Sequence, residues 1–222
     1  MDFFNFCKFI LKYQGINKFP EKYEYPSEII LSSSLWEKII SLKRFTDQFN
    51  YEHSITVFNI DDDIIITNPV KGTKSSVSSS VKIEVKYNPK NNKYIEKQVF
   101  VNGVLSSKSS IKNTQVKKDI NITPVFSIHS HPQINGKYSF FSITDINSLN
   151  DSKFLCSGLM TDEFLLACKL SSSLIVKKDF QEILNELNKS YLNKDVPNIS
   201  LLDNLKLAFY RARLKDKLIK VT

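Results

Sequence analysis

The sequence predicts a mixed α/β (α+β) fold, in which a β-sheet is flanked by helices. Segments with helical periodicity occur at residues 2–13, at 34–49 and after 179, and they are separated by short apolar segments typical of strands. A chain of 222 residues is long enough to bury a substantial core, so we expect one domain with an attachment at each end.

The N-terminal attachment comprises residues 1–29, in which an amphipathic helix at 2–13 precedes a linker with two prolines. The acidic start and the lack of a small-residue cleavage site argue against a signal peptide. We expect this helix to pack on the domain or on a partner, and a helix lying on a membrane surface is the alternative. No apolar segment reaches the length of a membrane span, so we expect no membrane crossing.

The central part of the chain, residues 30–177, contains most of the predicted strands. It begins with Ser34-Leu35-Trp36-Glu37, which matches a capping box and predicts the start of a helix. Residues 55–67 then predict a β-hairpin, and the alternation of apolar and polar side chains at 81–101 predicts a second one. Residues 154–170 predict two further strands on either side of a turn.

The C-terminal attachment, residues 178–222, is predicted to be a helical extension. Asp179 is the expected N-cap of a first helix, and Ser200–Lys220 shows the apolar spacing of a second helix with a basic end. This second helix could pack on the domain, dimerise or contact an acidic surface, and the sequence leaves these three possibilities open.

Two of the three histidines in the chain, His129 and His131, lie one residue apart at the end of a predicted buried strand. Side chains on a strand alternate between its faces, so we expect both imidazoles on the same face. Ser142 is the expected N-cap of the following helix and places Asp145 in the first turn, from which a carboxylate could reach the histidines. Two imidazoles and one carboxylate would leave the fourth position of a zinc ion open for water.

Each half of this pattern also has an ordinary structural interpretation. A His-x-His pair can be a simple surface or core pair, and Ser142 with Asp145 fits a capping box at the helix N-terminus. The His-x-His pair and the Ser142–Asp145 pair occur together and in this order, which favours a metal site over the structural interpretation.

His129-Ser130-His131-Pro132 followed by Ser142-Ile143-Thr144-Asp145 resembles the signature of the JAMM (MPN-type) zinc metalloproteases, in which His-x-His-Pro precedes Ser-x-x-Asp. The resemblance covers residues 30–177 and implies an MPN-like (cytidine-deaminase-like) core with a mixed, curved sheet. It also implies that the two histidines and the aspartate bind one Zn²⁺ ion per chain.

The JAMM resemblance further implies a glutamate general base, just after the first helix of the domain, and Glu52 occupies that position. Glu84 is the rival candidate, but it shares a strand face with Lys82 and Lys86 and is therefore expected to face solvent. The sequence departs from the family in lacking the small glycine that usually follows the glutamate.

The resemblance implies hydrolysis of a peptide bond, or of an isopeptide bond in a ubiquitin-like conjugate, by water that zinc and Glu52 activate. Ser142 is expected to donate a hydrogen bond to the tetrahedral oxyanion. The loop between the histidines and the aspartate, residues 133–141, is longer than is usual in the family. Within it, Tyr138 and Phe140 are expected to line a substrate groove.

Two other functions remain open from the sequence. A catalytically silent MPN-type scaffold would have the same fold, although inactive relatives commonly lack a ligand or the glutamate, and this chain has all of them. A RadC-type, nucleic-acid-associated protein is the other alternative, and the net charge of +8 fits it. The chain has only three arginines, however, which weakens the case for a phosphate-binding surface.

The three cysteines, Cys7, Cys156 and Cys168, are an odd number and have no CxxC spacing. This pattern argues against a disulfide framework and favours a reducing compartment, so we expect an intracellular, cytoplasmic protein.

Overall fold

The computed structural model describes residues 1–16, 18–60, 63–73, 81–88, 90, 93–101, 103–110, 122–137, 139–152, 154–170, 177–193, 201, 205 and 207–221. Within these residues the chain forms four helices and twelve strands. The helices are α1 (Phe3–Gly15), α2 (Ser33–Phe49), α3 (Ile143–Asp151) and α4 (Lys177–Asn193). The strands are β1 (Glu28–Ile29), β2 (His53–Ile60), β3 (Asp63–Ile66), β4 (Val70–Lys71), β5 (Val81–Asn88), β6 (Lys93–Val101), β7 (Val104–Ser110), β8 (Ile122–Ser130), β9 (Cys156–Met160), β10 (Phe164–Lys169), β11 (Leu207–Ala212) and β12 (Leu218–Lys220).

Nine of these strands form one mixed sheet in the order β1-β12-β11-β10-β9-β8-β2-β3, with β4 also paired to β2. β8 and β9 are parallel, because α3 lies between them in the chain and returns it to the same end of the sheet. The other pairs in this sheet are antiparallel. The predicted mixed sheet flanked by helices is therefore confirmed.

Helices cover both faces of the large sheet, and each face has its own hydrophobic core. Side chains of α1 and α2 belong to one core, and side chains of α3 and α4 belong to the other. β11 contributes to both, because Ala208, Tyr210 and Ala212 join the α1/α2 core while Leu207 and Phe209 join the α3/α4 core. A strand that is covered on both faces is apolar along most of its length, as β11 is except at Arg211.

The predicted helix over Ser200–Lys220 is wrong, since this segment contains β11 and β12. A strand buried on both faces has no alternating pattern, so its apolar residues can coincide with helical spacing. β12 pairs with β1. Parts of both predicted attachments, 1–29 and 178–222, therefore lie in the same sheet as the strands of the central part.

The N-terminal helix α1 packs on the domain, through buried side chains that join the core shared with α2. These side chains are Phe3, Phe6, Cys7 and Ile10. None of the helices in the described part of the chain has both the length and the apolar composition needed to cross a membrane.

The first helix of the central part, α2, begins slightly earlier than its sequence predicts. Ser32, rather than Ser34, is the N-cap, and its Oγ accepts a hydrogen bond from the Leu35 N–H at 3.2 Å. The sequence predicted the wrong N-cap because three consecutive serines offer the same capping chemistry, and only the packing of α2 selects one of them.

The predicted hairpins at 55–67, 81–101 and 154–170 are confirmed as β2–β3, β5–β6 and β9–β10. β5, β6 and β7 form a separate antiparallel sheet. This small sheet packs on β2 and β3, where Val99 joins Phe58 and Ile60 in a third apolar cluster.

Candidate metal centre

The end of β8 and the first turn of α3 bring His129, His131 and Asp145 together, in an arrangement that could hold a metal ion. His129 Nε2 lies 3.1 Å from His131 Nε2 and 3.2 Å from Asp145 Oδ1. His131 Nε2 lies 3.2 Å from Asp145 Oδ2. Both histidines are buried, at 7% and 6% exposure. The structure thus joins the three residues that the sequence suggested as ligands.

Asp145 is oriented by the N-terminus of its own helix. The Ser142 N–H and the Ser142 hydroxyl both donate to Asp145 Oδ2 at 2.7 Å, and the Asp145 N–H donates to Ser142 Oγ at 3.2 Å. This is a capping box, which the sequence had offered as the structural alternative to a metal site. The two roles are compatible here, because the capping bonds direct the carboxylate toward the histidines.

The hydroxyl group of Ser142 has a single proton, and that proton is directed to Asp145. In this arrangement Ser142 orients a candidate ligand. Donation to a substrate oxyanion, which the JAMM resemblance implies, would require the hydroxyl to rotate away from Asp145.

The opposite end of α3 is anchored by Lys169 of β10. Its buried Nζ donates to the backbone carbonyl oxygens of Asn150 at 3.1 Å and Ser152 at 2.7 Å. A cation at the C-terminus of a helix satisfies carbonyl groups that have no partner within the helix. α3 is therefore held at both ends, which limits the movement of Asp145 relative to the sheet.

The two imidazole rings are held through contacts beyond the donor cluster. His131 Nδ1 lies 3.3 Å from Ser139 Oγ, and the His129 ring forms a hydrogen bond with the backbone of Gly158. The ring of Phe141 also meets that of His129 edge-on, with centroids 6.4 Å apart. Contacts of this kind fix the orientation and the tautomer of metal-binding histidines.

His129, His131 and Asp145 can each offer one donor atom to a metal ion, and these atoms lie within 4.8 Å of one another. If Nδ1 of each ring carries the proton, the two Nε2 atoms direct their lone pairs at one another and at the carboxylate. Atoms whose lone pairs face one another at 3.1–3.2 Å repel unless a proton or a metal ion lies between them. Zinc with bonds of about 2.0–2.1 Å in tetrahedral geometry would separate its ligand atoms by about 3.3–3.4 Å. Imidazole nitrogens also favour zinc or a similar transition metal over magnesium or calcium.

The charges in this cluster favour an ionised carboxylate. Burial alone would raise the pKa of Asp145, but the hydrogen bonds from His129 and His131 outweigh it and hold that pKa well below its usual range. Burial alone would lower the pKa of His129, yet the hydrogen bond and charge of Asp145 leave it raised. A metal ion would therefore have to displace a proton from the cluster, so its binding should weaken as the pH falls.

Glu52 lies immediately before β2, and its backbone is held at the edge of the sheet. Its N–H donates to the Thr73 carbonyl and its carbonyl accepts from the Gly72 N–H, both at 2.8 Å. The residue is 9% exposed. Burial raises the pKa of the Glu52 carboxyl, and the charges of His131 and His129 act against this rise. The Glu52 carboxyl therefore interacts electrostatically with the donor cluster.

The rival glutamate, Glu84, lies in the small sheet. It is exposed and pairs with Lys82 at 2.8 Å, as the alternation of its strand predicts. Of the two carboxylates, only Glu52 combines burial with an electrostatic interaction with the metal-ligand candidates.

The third histidine, His53, lies on the opposite face of the sheet, beneath α2. Its Nδ1 lies 3.0 Å from the Tyr51 carbonyl and 3.2 Å from Thr46 Oγ1. Thr46 Oγ1 is in turn 2.5 Å from Ser130 Oγ. Burial lowers the pKa of His53. This buried network links β2, which follows Glu52, to the end of β8, where the two candidate ligands His129 and His131 lie.

The long loop after His131 contains an exposed two-residue turn. Ile134 and Lys137 exchange backbone hydrogen bonds at 2.8 and 3.0 Å, and Asn135 and Gly136 between them have φ values of 52° and 74°. Positive φ at both positions is the property of a type I′ turn, for which Asn-Gly is a favoured sequence.

Of the two residues expected to line a substrate groove, Tyr138 and Phe140, the structure describes only Phe140. Phe140 is 2% exposed and packs on Phe141 and Phe209 in the α3/α4 core, so we do not include it among the proposed substrate contacts. Tyr138 lies outside the described residues.

Three residues near the centre were not identified from the sequence: Ser139, Gly158 and Asn188. A signal existed for Gly158, because an isolated glycine in a strand often marks a close backbone approach. A Cβ atom there would lie 2.8 Å from Ile128 Cγ1. Ser139 and Asn188 had no such signal, because their contacts depend on loop geometry and on helix packing.

Comparisons of this chain with protein-family models, with curated proteins and with solved structures found no match.

Proposed function

We propose that this chain is a zinc-dependent hydrolase of amide bonds, in which His129, His131 and Asp145 bind the ion and Glu52 is the general base. The observation that carries the proposal is the cluster of donor atoms, in which the two Nε2 atoms lie 3.1 Å apart and each lies 3.2 Å from one of the two carboxylate oxygens of Asp145. The buried Glu52 carboxyl, whose pKa is raised, interacts electrostatically with this cluster. The same residues carry the resemblance to the JAMM (MPN-type) family, whose fold we propose for the sheet around the site.

A zinc ion held by these three residues would lower the pKa of a bound water molecule far below its bulk value, to about 7, and would polarise the substrate carbonyl. Glu52 would accept the proton of the attacking water and donate it to the leaving amine. General acid–base catalysis of this kind contributes about 10²–10⁴ in rate. The raised pKa of Glu52 suits both steps, because its carboxyl can hold a proton at a higher pH than an exposed glutamate can.

For the substrate we propose a peptide bond, or the isopeptide bond of a ubiquitin-like conjugate, since these are the bonds that the JAMM family cleaves. The turn at Ile134–Lys137 supports a chain-like substrate, because it follows the ligand histidines directly and exposes 55% of Ile134. An exposed apolar side chain at such a position is available to a bound polypeptide.

The experiment that tests this proposal is metal analysis of the purified protein after loading with zinc and dialysis. We expect one zinc ion per chain, removed by a chelator, and we expect His129→Ala and His131→Ala to abolish its retention. His53→Gln is the matched control, because His53 lies on the other face of the sheet and should leave the zinc content unchanged. Retention of well under one equivalent by the parent protein would contradict the proposal.

A further inference from the structure

The side chain of Asn188, on α4, binds the segment immediately before α3 with both ends of its amide group. Oδ1 accepts a hydrogen bond from the Phe140 N–H at 2.8 Å, and Nδ2 donates to the Phe141 carbonyl at 3.4 Å. Nδ2 also donates to the Leu184 carbonyl of its own helix at 2.9 Å. These partners define which end of the amide is the nitrogen, since carbonyl groups need a donor and an N–H needs an acceptor.

The peptide group between Phe141 and Ser142 connects this contact to the metal centre. Its carbonyl accepts the hydrogen bond from Asn188, and its N–H donates to Asp145 Oδ2 at 2.7 Å. A peptide group is planar, so the direction of its C=O determines the direction of its N–H. Asn188 therefore acts on the same rigid unit that orients the carboxylate of Asp145.

The rest of the segment provides a different kind of restraint. The rings of Phe140 and Phe141 pack on Phe209, with centroids 5.8 and 6.3 Å away, which holds the position of the segment. Ring packing does not set the rotation of a peptide plane, whereas a hydrogen bond to its carbonyl does. The preceding residues, 133–136, are exposed. The hydrogen bond from Asn188 therefore restrains the orientation of the Phe141–Ser142 peptide from α4.

We infer that Asn188 is a positioning residue for the metal ligand Asp145, acting through the Phe141–Ser142 peptide. The inference rests on the proposed metal site and adds to it a residue that contacts none of the ligand atoms. It also gives α4, in the C-terminal part of the chain, a role in metal affinity. Partners that hold a ligand from behind typically change metal affinity by about 10- to 100-fold when they are removed.

The test compares Asn188→Ala and Asn188→Asp with two controls on the same helix. Asn188→Asp keeps an acceptor for the Phe140 N–H but replaces the donor to Phe141 with a second oxygen. Asn185→Ala removes an exposed asparagine, and Leu187→Ala removes a fully buried side chain of the same core that cannot form a hydrogen bond to the segment before α3. Leu187→Ala therefore reports what a loss of stability alone does to the metal site.

Two measurements are made on each protein. Co²⁺ is titrated in competition with a chelator, with the visible spectrum recorded, and hydrogen exchange of the Ser142 amide is followed in the metal-free protein. We expect both Asn188 variants to bind Co²⁺ about 10-fold or more weakly, with an altered spectrum and faster Ser142 exchange. Asn188→Asp should bind Co²⁺ no more tightly than Asn188→Ala, and its Ser142 amide should exchange no more slowly. Asn185→Ala and Leu187→Ala should keep the parent's spectrum and affinity.

Parent-like Co²⁺ affinity and Ser142 exchange in both Asn188 variants would overturn the inference and leave the proposed function standing. An equal loss of affinity in Leu187→Ala would also overturn it, because the effect would then come from stability. Failure of the parent itself to bind Co²⁺ or Zn²⁺ would overturn the proposed function, and this inference with it.

Discussion

At the scale of single residues, Glu52 separates a hydrolase from a protein that only binds metal. Glu52→Gln keeps the shape of the side chain and removes its ability to accept a proton. We expect this variant to bind zinc and to melt like the parent, and to lose at least about 10²-fold in the rate of amide hydrolysis. The assay should include several ubiquitin-like conjugates and unstructured peptides.

The control for this substitution is Glu84→Gln, since Glu84 is exposed in the small sheet. Full activity of Glu52→Gln together with an inactive Glu84→Gln would show that Glu84, and not Glu52, is the general base.

The pH profile of hydrolysis gives a further check on Glu52. Because burial raises the pKa of Glu52 above its ordinary value of 4.5, activity should fall on the acidic side at a correspondingly higher pH.

The buried His53 should make the free energy of unfolding depend on pH, independently of catalysis. Burial lowers its pKa from the ordinary value of 6.5, the bond to the Tyr51 carbonyl raises it, and the charge of Lys71 lowers it, with a net decrease. As the pH falls below about 6.5, the unfolded chain therefore gains a proton at this residue before the folded chain does. His53 should thus make the folded state progressively less stable as the pH falls through this range.

Urea unfolding of the parent and of His53→Gln at pH 7.5 and pH 5.5 measures this effect. We expect the parent to lose more free energy of unfolding between the two pH values than the variant does. The other ionisable groups are the same in both proteins, so their contributions cancel in the difference. Identical pH dependence in the two proteins would mean that His53 is not held neutral in the folded state.

At the scale of elements, the contact between β8 and β9 depends on Gly158. An added Cβ would lie 2.8 Å from Ile128 Cγ1 and 3.0 Å from the Phe164 ring, so these side chains, or the strands that carry them, would have to shift. We expect Gly158→Ala to lower the free energy of unfolding by about 1–3 kcal/mol, as overpacked cores commonly do. It should also weaken zinc binding, because the His129 ring bonds to the Gly158 backbone.

Gly15→Ala is the matched control for this change, since nothing lies within 4 Å of its added Cβ. It should leave both zinc binding and stability close to those of the parent. Thermal melting and chelator competition on the two variants check the prediction. Parent-like zinc affinity in Gly158→Ala would show that the position of β9 does not affect the metal site.

The turn in the loop after His131 predicts an effect on substrate choice alone. Its residues, Ile134–Lys137, are bonded to each other across the turn, whereas Ser139 contacts His131. Removing Ile134, Asn135 and Gly136 should therefore change the preference among peptide substrates and leave the zinc content unchanged. Ser139→Ala provides the contrast, because it should weaken zinc binding. Loss of zinc on the deletion would mean that the turn holds the ligands in place.

At the scale of the whole molecule, the C-terminal part of the chain is needed for the fold. Removal of residues 178–222 deletes most of α4 together with β11 and β12, and would expose the apolar edge of β10. Each large buried side chain contributes about 1.5–3 kcal/mol, so the loss of seven, about 10–20 kcal/mol, equals or exceeds the stability of a typical domain. Those seven side chains are Leu184, Leu187, Leu205, Leu207, Phe209, Tyr210 and Leu218.

We expect the shortened chain to lack a cooperative melting transition and to aggregate, as measured by circular dichroism and gel filtration. The variant Leu214→Ser, in the exposed turn between β11 and β12, should melt like the parent. A folded, zinc-binding product from residues 1–177 would show that the sheet is complete without β11 and β12.

The sequence by itself determined the features that depend on neighbouring residues. The alternation of a strand places His129 and His131 on one face, and the capping chemistry of Ser142 places Asp145 in the first turn of α3. The hairpins formed by β2–β3, β5–β6 and β9–β10 were equally accessible, because each is a contact between segments close in the chain.

Only the tertiary structure decided the contacts that join distant parts of the chain. β11 could not be recognised as a strand, because burial on both faces removes the alternation that distinguishes strand from helix. Gly158 and Asn188 lie close to the candidate site only because β9 pairs with β8 and α4 packs beside α3. The positions of such partners depend on how whole elements pack, whereas a local pattern reports only the few residues that share one turn or one strand.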